Sequence, residues 1–325
     1  LLNAERDITL SNVAARDLLG DGLVGQPLVR VMRQPGVLGC VDSIMDGSQR
    51  ATAIIRFPAP ASGTFRLTAV ALEGEEQAMA LTLRDVSPLL QAAQQRSDFV
   101  ANVSHELRSP LTSLSSTIET LQTTAADDPP AQVRFLATMR REANRMERLI
   151  DDLLSLSRVE EDERVRPTER VELDRLLMGL IEDMRLRDEM TERTIFVEYA
   201  TAACDVAGDP DQLRQVFVNL LENALRYSEG NIFVSIQRED ALPRVAGPAF
   251  VVTIRDEGDG IAPEHLPRLT ERFYRVDSGR SRQKGGTGLG LAIVKHIANR
   301  HRGRLEIASR LGEGTTMKVI LPVLA

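Results

Sequence analysis

Residues 99–114 read FVANVSHELRSPLTSL and decide the fold of the middle of the chain. Apolar residues recur there at alternating steps of four and three, the heptad spacing of a helix that packs along a seam. A second such series follows the turn-forming sequence AADDPP at residues 125–130. The two series predict an antiparallel helical hairpin, and because one hairpin cannot cover both apolar faces, they favour a dimeric four-helix bundle. The seam residues are Phe99, Val103, Leu107, Leu111, Leu114, Ile118 and Leu121 in the first helix, and Leu136, Met139, Ala143, Met146, Ile150 and Leu153 in the second.

One histidine of this stretch lies away from the seam. His105 is two positions from both Val103 and Leu107, so at 100° per residue it points outward. Ser109 falls on the same exposed face one turn further along. A lone exposed histidine is usually ordinary surface, but Glu106 can accept a proton from one ring nitrogen and leave the other as an uncharged nucleophile. His105, Glu106 and Ser109 are therefore candidate catalytic residues.

The hairpin is assigned to residues 89–160, and the sequence patterns before and after it differ. We therefore predict a multidomain α+β protein. Residues 1–88 show short alternating runs, among them residues 6–10 and 53–57, broken by Gly and Pro clusters, which predict a small α+β domain. From residue 161 to 325 strands alternate with helices, which predicts an α/β sandwich. The predicted helices cover residues 174–190, a segment opened by Asp209 and Pro210, and residues 289–300; the predicted strands cover residues 194–198, 232–238, 250–256, 304–309 and 315–321.

Charge and cysteine content exclude several classes of protein. The 325 residues contain 40 Lys and Arg against 47 Asp and Glu, a net charge of −7, which argues against direct binding to nucleic acid. The two cysteines, Cys40 and Cys204, form no zinc or disulfide pattern and are expected to be buried. The sequence has no apolar run of membrane-spanning length and begins at Leu1 without an initiator Met, so we expect a fragment whose membrane anchor lies upstream.

Two asparagines on the helix after Asp209 are candidate metal ligands. Asn219 and Asn223 are four residues apart and share one helix face. Their amide carbonyls are oxygen ligands of the kind that Mg²⁺ prefers. Helices with two asparagines are common, so this feature gains weight only from the motifs that follow it.

Two glycine-rich motifs follow the asparagines. DEGDGI at residues 256–261 ends an apolar strand, where Asp256 can accept from an exocyclic amine and Gly258 and Gly260 allow close backbone approach. GGTGLGL at residues 285–291 opens a helix, whose free N–H groups suit phosphate. Between them, residues 262–287 carry six basic and three acidic side chains, which predicts a lid over a triphosphate rather than a solvated loop.

In this order and spacing, the three motifs resemble the GHKL ATPases, which include histidine kinases, gyrase, Hsp90 and MutL. The stretch around His105 resembles the H-E-x-x-[TN]-P box of the sensor histidine kinases. That resemblance implies that His105 accepts phosphate from ATP, that Glu106 is its general base, and that Ser109, where Thr or Asn is usual, orients a water for phosphatase activity. It also implies that ATP and Mg²⁺ are held by Asn219, Asn223, Arg226, Tyr227, Asp256, Gly258, Gly260, Ile261, Phe273, Lys284, Gly286, Thr287, Gly288, Leu289 and Gly290, with the two asparagines on the metal.

Less specific resemblances cover the first 88 residues and the chain as a whole. Residues 8–28 and 81–89 resemble a PAS domain, and the whole chain is most similar to the phosphate-regulon sensor kinases of alphaproteobacterial type. The resemblance implies a homodimer, a DNA-binding response regulator as partner, and a location as the cytoplasmic portion of a bacterial inner-membrane protein. Thr112, seven residues after His105, is expected on the docking face for that regulator.

Two alternatives remain open: a GHKL ATPase of clamp or chaperone type, and a catalytically weak scaffold. The clamp enzymes have a glutamate where Asn219 stands. Glu222 is 100° round the helix from Asn223, so we do not expect it to take that role.

Overall fold

The computed structural model describes residues 1–57, 63–72, 78–125, 127–161, 165–186, 194–199, 204–243, 245, 247–276 and 286–324. Within them the chain forms two compact units, Leu1–Ala101 and Asn102–Ala325.

The first unit is a small α+β fold, as predicted. Three antiparallel strands form a sheet in the order β1-β2-β3, and one face of α3 is buried in the same core. This helix was not predicted, because its 11 residues are too few to show a long helical period. The alternating run at residues 6–10 forms isolated bridges and no strand: Ile8 pairs with Leu2 and Asp7 with Pro27. The elements are α1 (Val13–Leu19), α2 (Leu28–Val31), α3 (Pro35–Met45), β1 (Arg50–Phe57), β2 (Gly63–Ala71) and β3 (Met79–Asp85).

The predicted hairpin consists of α4 (Ser87–Gln122) and α5 (Pro129–Glu161). The loop ends at Asp128, whose carboxylate accepts from the Ala131 N–H at 3.0 Å and so caps the first turn of α5. Toward its C-terminal end α5 also buries a face that was not predicted, made of Leu149, Leu156 and Val159, which packs within the second unit. The seam residues Leu111, Ile118, Leu136 and Ile150 are 56%, 40%, 57% and 46% exposed in the single chain, as expected of a face that one hairpin does not cover.

Beyond its internal proline, α4 carries a series of side-chain bonds to its own backbone. Pro110 lies inside the helix and is buried. After it, four threonine hydroxyls donate to the carbonyl four residues earlier, at 2.7–2.9 Å. These threonines are Thr112, Thr117, Thr120 and Thr123.

The rest of the second unit is the predicted α/β sandwich. A five-stranded sheet has the order β5-β7-β8-β10-β9, in which only β5 and β7 pair in parallel. Three helices supply the apolar side chains that pack on the sheet. The two strands β4 and β6 pair separately, and because each has only four residues, neither was predicted. The elements are β4 (Glu169–Glu172), α6 (Leu173–Arg185), β5 (Ile195–Tyr199), β6 (Asp205–Gly208), α7 (Pro210–Tyr227), β7 (Ile232–Glu239), β8 (Ala249–Asp256), α8 (Gly290–Arg300), β9 (Arg304–Arg310) and β10 (Gly314–Pro322).

The start of α7 confirms the predicted cap. Asp209 accepts from the N–H groups of Asp211 and Gln212, each at 3.1 Å, and Pro210 occupies the first turn. The Asp209 N–H donates to Nε2 of His301 at 3.0 Å, while Nδ1 of His301 lies 2.8 Å from the Ile297 carbonyl. This arrangement fixes His301 as a neutral, fully buried imidazole that joins the ends of α7 and α8.

Candidate active site

A cavity of about 570 Å³ lies between α7, the end of β8 and the start of α8, with α5 along one side. This volume is in the range of small-molecule sites. Eleven of the residues expected at a nucleotide line it: Asn219, Asn223, Arg226, Tyr227, Asp256, Gly260, Ile261, Gly286, Thr287, Gly288 and Gly290.

Asp256 is a buried carboxyl at the end of β8, 4% exposed. Its Oδ1 accepts from the backbone N–H of Gly258 at 2.9 Å and of Thr315 at 3.3 Å. Burial raises the pKa of Asp256, against the lowering effect of these two hydrogen bonds. The carboxyl is therefore held in one orientation at the cavity wall, as recognition of an amine requires.

Two glycines let loops come closer than any side chain would allow. Gly260 has φ +68°, and a Cβ there would lie 1.9 Å from the Arg310 carbonyl oxygen. Gly288 has φ +76°, and its Cβ would lie 2.9 Å from Cα of Phe273, whose N–H donates to the Gly288 carbonyl at 2.8 Å. Both loops are thus shaped by glycine.

Asn219 lies beside the first turn of α8, and Asn223 lines the same cavity. The Asn219 amide is within 3.5 Å of where a Cβ on Gly290 would stand, and Gly290 is the first residue of the helix. Amide oxygens next to free helix N–H groups suit a metal-bound triphosphate. Among the described residues no group of three His, Cys, Asp or Glu side chains is placed to hold a metal.

Three further predicted residues do not line the cavity but contact residues that do or are buried next to them. Gly258 packs against the Tyr227 carbonyl, and the Phe273 N–H donates to the Gly288 carbonyl. Leu289 is fully buried. Lys284 and the rest of residues 277–285 of the basic lid lie outside the residues that the structure describes.

Three side chains of α5 line the same cavity and were not predicted: Arg148, Asp151 and Asp152. The Thr287 hydroxyl donates to Oδ2 of Asp152 at 2.7 Å. Burial raises the pKa of Asp152, and the nearby Glu222 adds to the rise. Glu222 also lines the cavity, at a different angle of α7 from Asn219 and Asn223. No local pattern marks these residues, because only the packing of α5 against the α/β layer brings them here.

The histidine turn of α4 lies next to this cavity. His105 and Ser109 are exposed, as predicted. Oε2 of Glu106 accepts from Arg145 of α5 at 2.7 Å and lies 3.7 Å from Nη1 of Arg275, a residue that lines the cavity. The two arginines hold the carboxylate at the turn that carries His105.

Comparisons with known proteins place the chain. Residues 95–162 match the family model of the His Kinase A (phospho-acceptor) domain, and residues 208–325 match that of the histidine kinase-, DNA gyrase B-, and HSP90-like ATPases. The phosphate regulon sensor protein PhoR of Pseudomonas aeruginosa is 37% identical over 324 residues, which cover 97% of this chain and 70% of that protein. This chain belongs to the sensor histidine kinases. It is thus an ATP-dependent protein-histidine kinase, and the phospho-acceptor domain sets it apart from clamp-type ATPases.

Other relatives agree with this kinase assignment. The sensor protein kinase WalK of Staphylococcus saprophyticus is 40% identical over 243 residues, which cover 74% of this chain but only 38% of that protein. The solved structure of histidine kinase ThkA in complex with response regulator protein TrrA has a TM-score of 0.54 at 20% identity, covering 99% of this chain and 94% of that one, and so shares the fold. Across the described part of this kinase, no helix combines the length and apolarity needed to cross a membrane.

Proposed function

We propose that His105 accepts the γ-phosphoryl group of ATP bound in the cavity and passes it to an aspartate of a response regulator. The observation that carries this proposal is the ion pair between Glu106, the neighbour of His105, and Arg275 of the cavity wall. It brings the phosphate-accepting turn and the nucleotide site together within one unit of the chain.

The nucleophile and the proton acceptor of the transfer both lie at this turn. One ring nitrogen of His105 attacks the γ-phosphorus, the bond to the β–γ bridging oxygen breaks, and ADP leaves. The proton of the other ring nitrogen passes to Glu106. In the second step the N–P bond breaks as an aspartate oxygen of the regulator bonds the phosphorus, and Glu106 returns its proton to the other ring nitrogen, which regenerates the neutral His105.

The cavity residues have distinct roles in this proposal. Asp256 accepts from the exocyclic amine of adenine and Tyr227 packs against the ring. Arg226 and the N–H groups of residues 286–290 bind the phosphates. Asn219 and Asn223 hold Mg²⁺, whose charge offsets that of the transferred phosphoryl group. The supporting residues of the site are Gly258, Gly260, Ile261, Phe273, Lys284 and Leu289.

Ser109 supports a second activity on the phosphorylated regulator. Its hydroxyl is exposed one turn from His105. From there it can orient a water toward an acyl phosphate docked over the histidine, which releases inorganic phosphate from the regulator.

The sharpest test of the proposal uses γ-labelled ATP and the variant His105→Ala. The wild-type chain should take up label in an acid-labile, base-stable form, and His105→Ala should take up none while binding ATP as before. Glu119→Ala, an exposed change on the same helix, should keep the label. Label retained by His105→Ala would refute the proposal.

The relatives' names support the choice of partner. PhoR is a phosphate regulon sensor protein, and ThkA was solved with the response regulator TrrA. We infer a DNA-binding response regulator of phosphate-regulon type, which docks on the face of α4 that carries Thr112. This side chain is exposed, with its hydroxyl turned back to the Arg108 carbonyl.

A charged side chain at position 112 tests that docking face. Thr112→Arg should slow phosphoryl transfer to the regulator by about tenfold or more, since one well-placed clash or unpaired charge costs over 1.4 kcal/mol. Autophosphorylation, measured separately with labelled ATP, should stay at the wild-type rate. Equal loss of both reactions would contradict the docking face.

The exposed seam of the hairpin supports a homodimer. Leu111, Ile118, Leu136 and Ile150 form apolar surface that a second hairpin would cover in a four-helix bundle. The α+β fold of the first unit is compatible with a PAS-like domain over residues 1–88, and an inner-membrane anchor outside this chain stays a prediction.

A further inference from the structure

α5 contacts residues 286–290, which we call the phosphate loop, through the hydroxyl of Thr287, and this hydroxyl makes two hydrogen bonds. The Thr287 hydroxyl donates to Asp152 at 2.7 Å and accepts from the Leu289 N–H at 3.3 Å. The Leu289 N–H belongs to the start of α8, where phosphate would bind. One hydroxyl therefore links a carboxylate of the hairpin to the anion-binding end of the helix.

Asp151 and Asp152 of α5 and Glu222 of α7 are carboxylates that line the cavity, together with the cationic Arg148 of α5. Asp152 is partly buried and accepts the hydrogen bond from Thr287. Burial weakens solvent screening, so a carboxylate here repels an approaching phosphate more strongly than a surface carboxylate does. With α5 in this position, the Asp152 carboxylate is therefore an opposing charge held directly at Thr287.

Further contacts hold α5 in this position. Ser155, three residues after Asp152, donates to Oε1 of Gln215 on α7 at 2.6 Å. Glu160 pairs with Arg272 and lies 3.6 Å from Nε2 of His296 on α8. Polar contacts with α7, with Arg272 and with α8 thus fix the position of α5, and they hold Asp152 within hydrogen-bond distance of Thr287.

We propose that Asp152 is a positioning residue that lowers nucleotide affinity by holding Thr287 on the hairpin. Movement of α5 away from the loop would release the hydroxyl to donate to a phosphate and would remove the opposing charge. The hairpin thereby controls ATP loading as well as presenting His105. This inference rests on the proposed function, in which the phosphates of ATP bind at residues 286–290.

The test measures ATP and ADP affinity of the whole chain by calorimetry in the presence of Mg²⁺. Asp152→Asn keeps the acceptor and removes the charge, and it should bind nucleotide about fivefold or more tightly, as expected for coupling between sites. The KM for ATP in autophosphorylation should fall by a similar factor. Asp183→Asn is the matched control, because it removes the same charge from an exposed ion pair with Arg214 at 3.0 Å and should change neither value.

A double mutant asks whether Asp152 acts through the hydroxyl. In a Thr287→Val background, Asp152→Asn should gain markedly less affinity than in the wild type, since the two side chains are coupled. Asp152→Ser, which also lacks the charge, should reproduce the gain of Asp152→Asn if the latter folds poorly, with thermal melting as the check on folding.

The outcomes separate this inference from the proposed function. Unchanged or weaker nucleotide binding in folded Asp152→Asn and Asp152→Ser would overturn the inference, as would an equal gain in Asp183→Asn. A purely structural role for Asp152 predicts weaker binding together with lower thermal stability. A wild-type chain that binds no nucleotide would overturn the proposed function instead.

Discussion

The helical hairpin and the α/β layer of the kinase bury their apolar residues in different ways. In the α/β layer Phe217, Leu220 and Ile293 are fully buried by side chains of the same chain. In the hairpin, Leu111 and Leu136 keep more than half of their surface exposed, although they lie on an equally regular seam. The difference shows that periodicity marks a face for burial but does not say which molecule covers it.

The largest effect should come from a large core residue of the α/β layer. Phe217→Ala should destabilise the ATP-binding fold by about 3–5 kcal/mol, because it removes a fully buried ring and leaves a cavity. Denaturant unfolding would measure the loss. Ile118→Ala on the half-exposed seam, measured on a dilute chain, should cost far less. Similar losses at the two positions would show that the hairpin buries its seam within the single chain.

A charged side chain on the apolar seam of the hairpin should weaken the association of the two copies in the proposed dimer. Ile118→Lys should weaken dimerisation by about tenfold or more, since each copy loses the burial of one aliphatic side chain. Sedimentation equilibrium would report the change. Gln122→Lys, an exposed polar position on the same helix, adds the same charge and should leave the association as it was.

The smallest effect concerns the buried imidazole that joins α7 to α8. Burial lowers the pKa of His301 below its usual 6.5, so the folded chain keeps the ring neutral. Below about pH 6.5 the unfolded chain binds a proton that the folded chain does not. Stability therefore falls with decreasing pH, by up to about 1.4 kcal/mol per unit, until the folded pKa is reached.

Calorimetric unfolding between pH 7 and pH 5 measures that slope. His301→Gln, whose amide can still hydrogen-bond but does not titrate, should show a shallower dependence on pH. An identical slope in the two proteins would mean that other groups cause the acid sensitivity.

The sequence predicts local features of this kinase well and long-range packing poorly. The cap at Asp209, the strand before Asp256 and the helix after Gly288 all follow from neighbouring residues, so periodicity and capping find them. The helix α3 and the strands β4 and β6 are too short to produce a pattern.

The contribution of α5 to the nucleotide cavity is a different kind of omission. Asp152 and Thr287 are 135 residues apart, and their contact exists because Leu149, Leu156 and Val159 face the α/β layer. The heptad spacing marks Met146, Ile150 and Leu153 of α5 as apolar and does not mark Leu149, Leu156 and Val159. It therefore does not predict that Asp152 faces the nucleotide cavity.

The threonines of α4 have a mechanical consequence. Each hydroxyl that bonds the carbonyl of the preceding turn gives that carbonyl a second partner, so the backbone can bend there without stranding an acceptor. Pro110 removes one rung of the ladder just above them. A twist or bend imposed on the hairpin should therefore concentrate in α4 between Pro110 and Thr123, the stretch that follows the turn of His105.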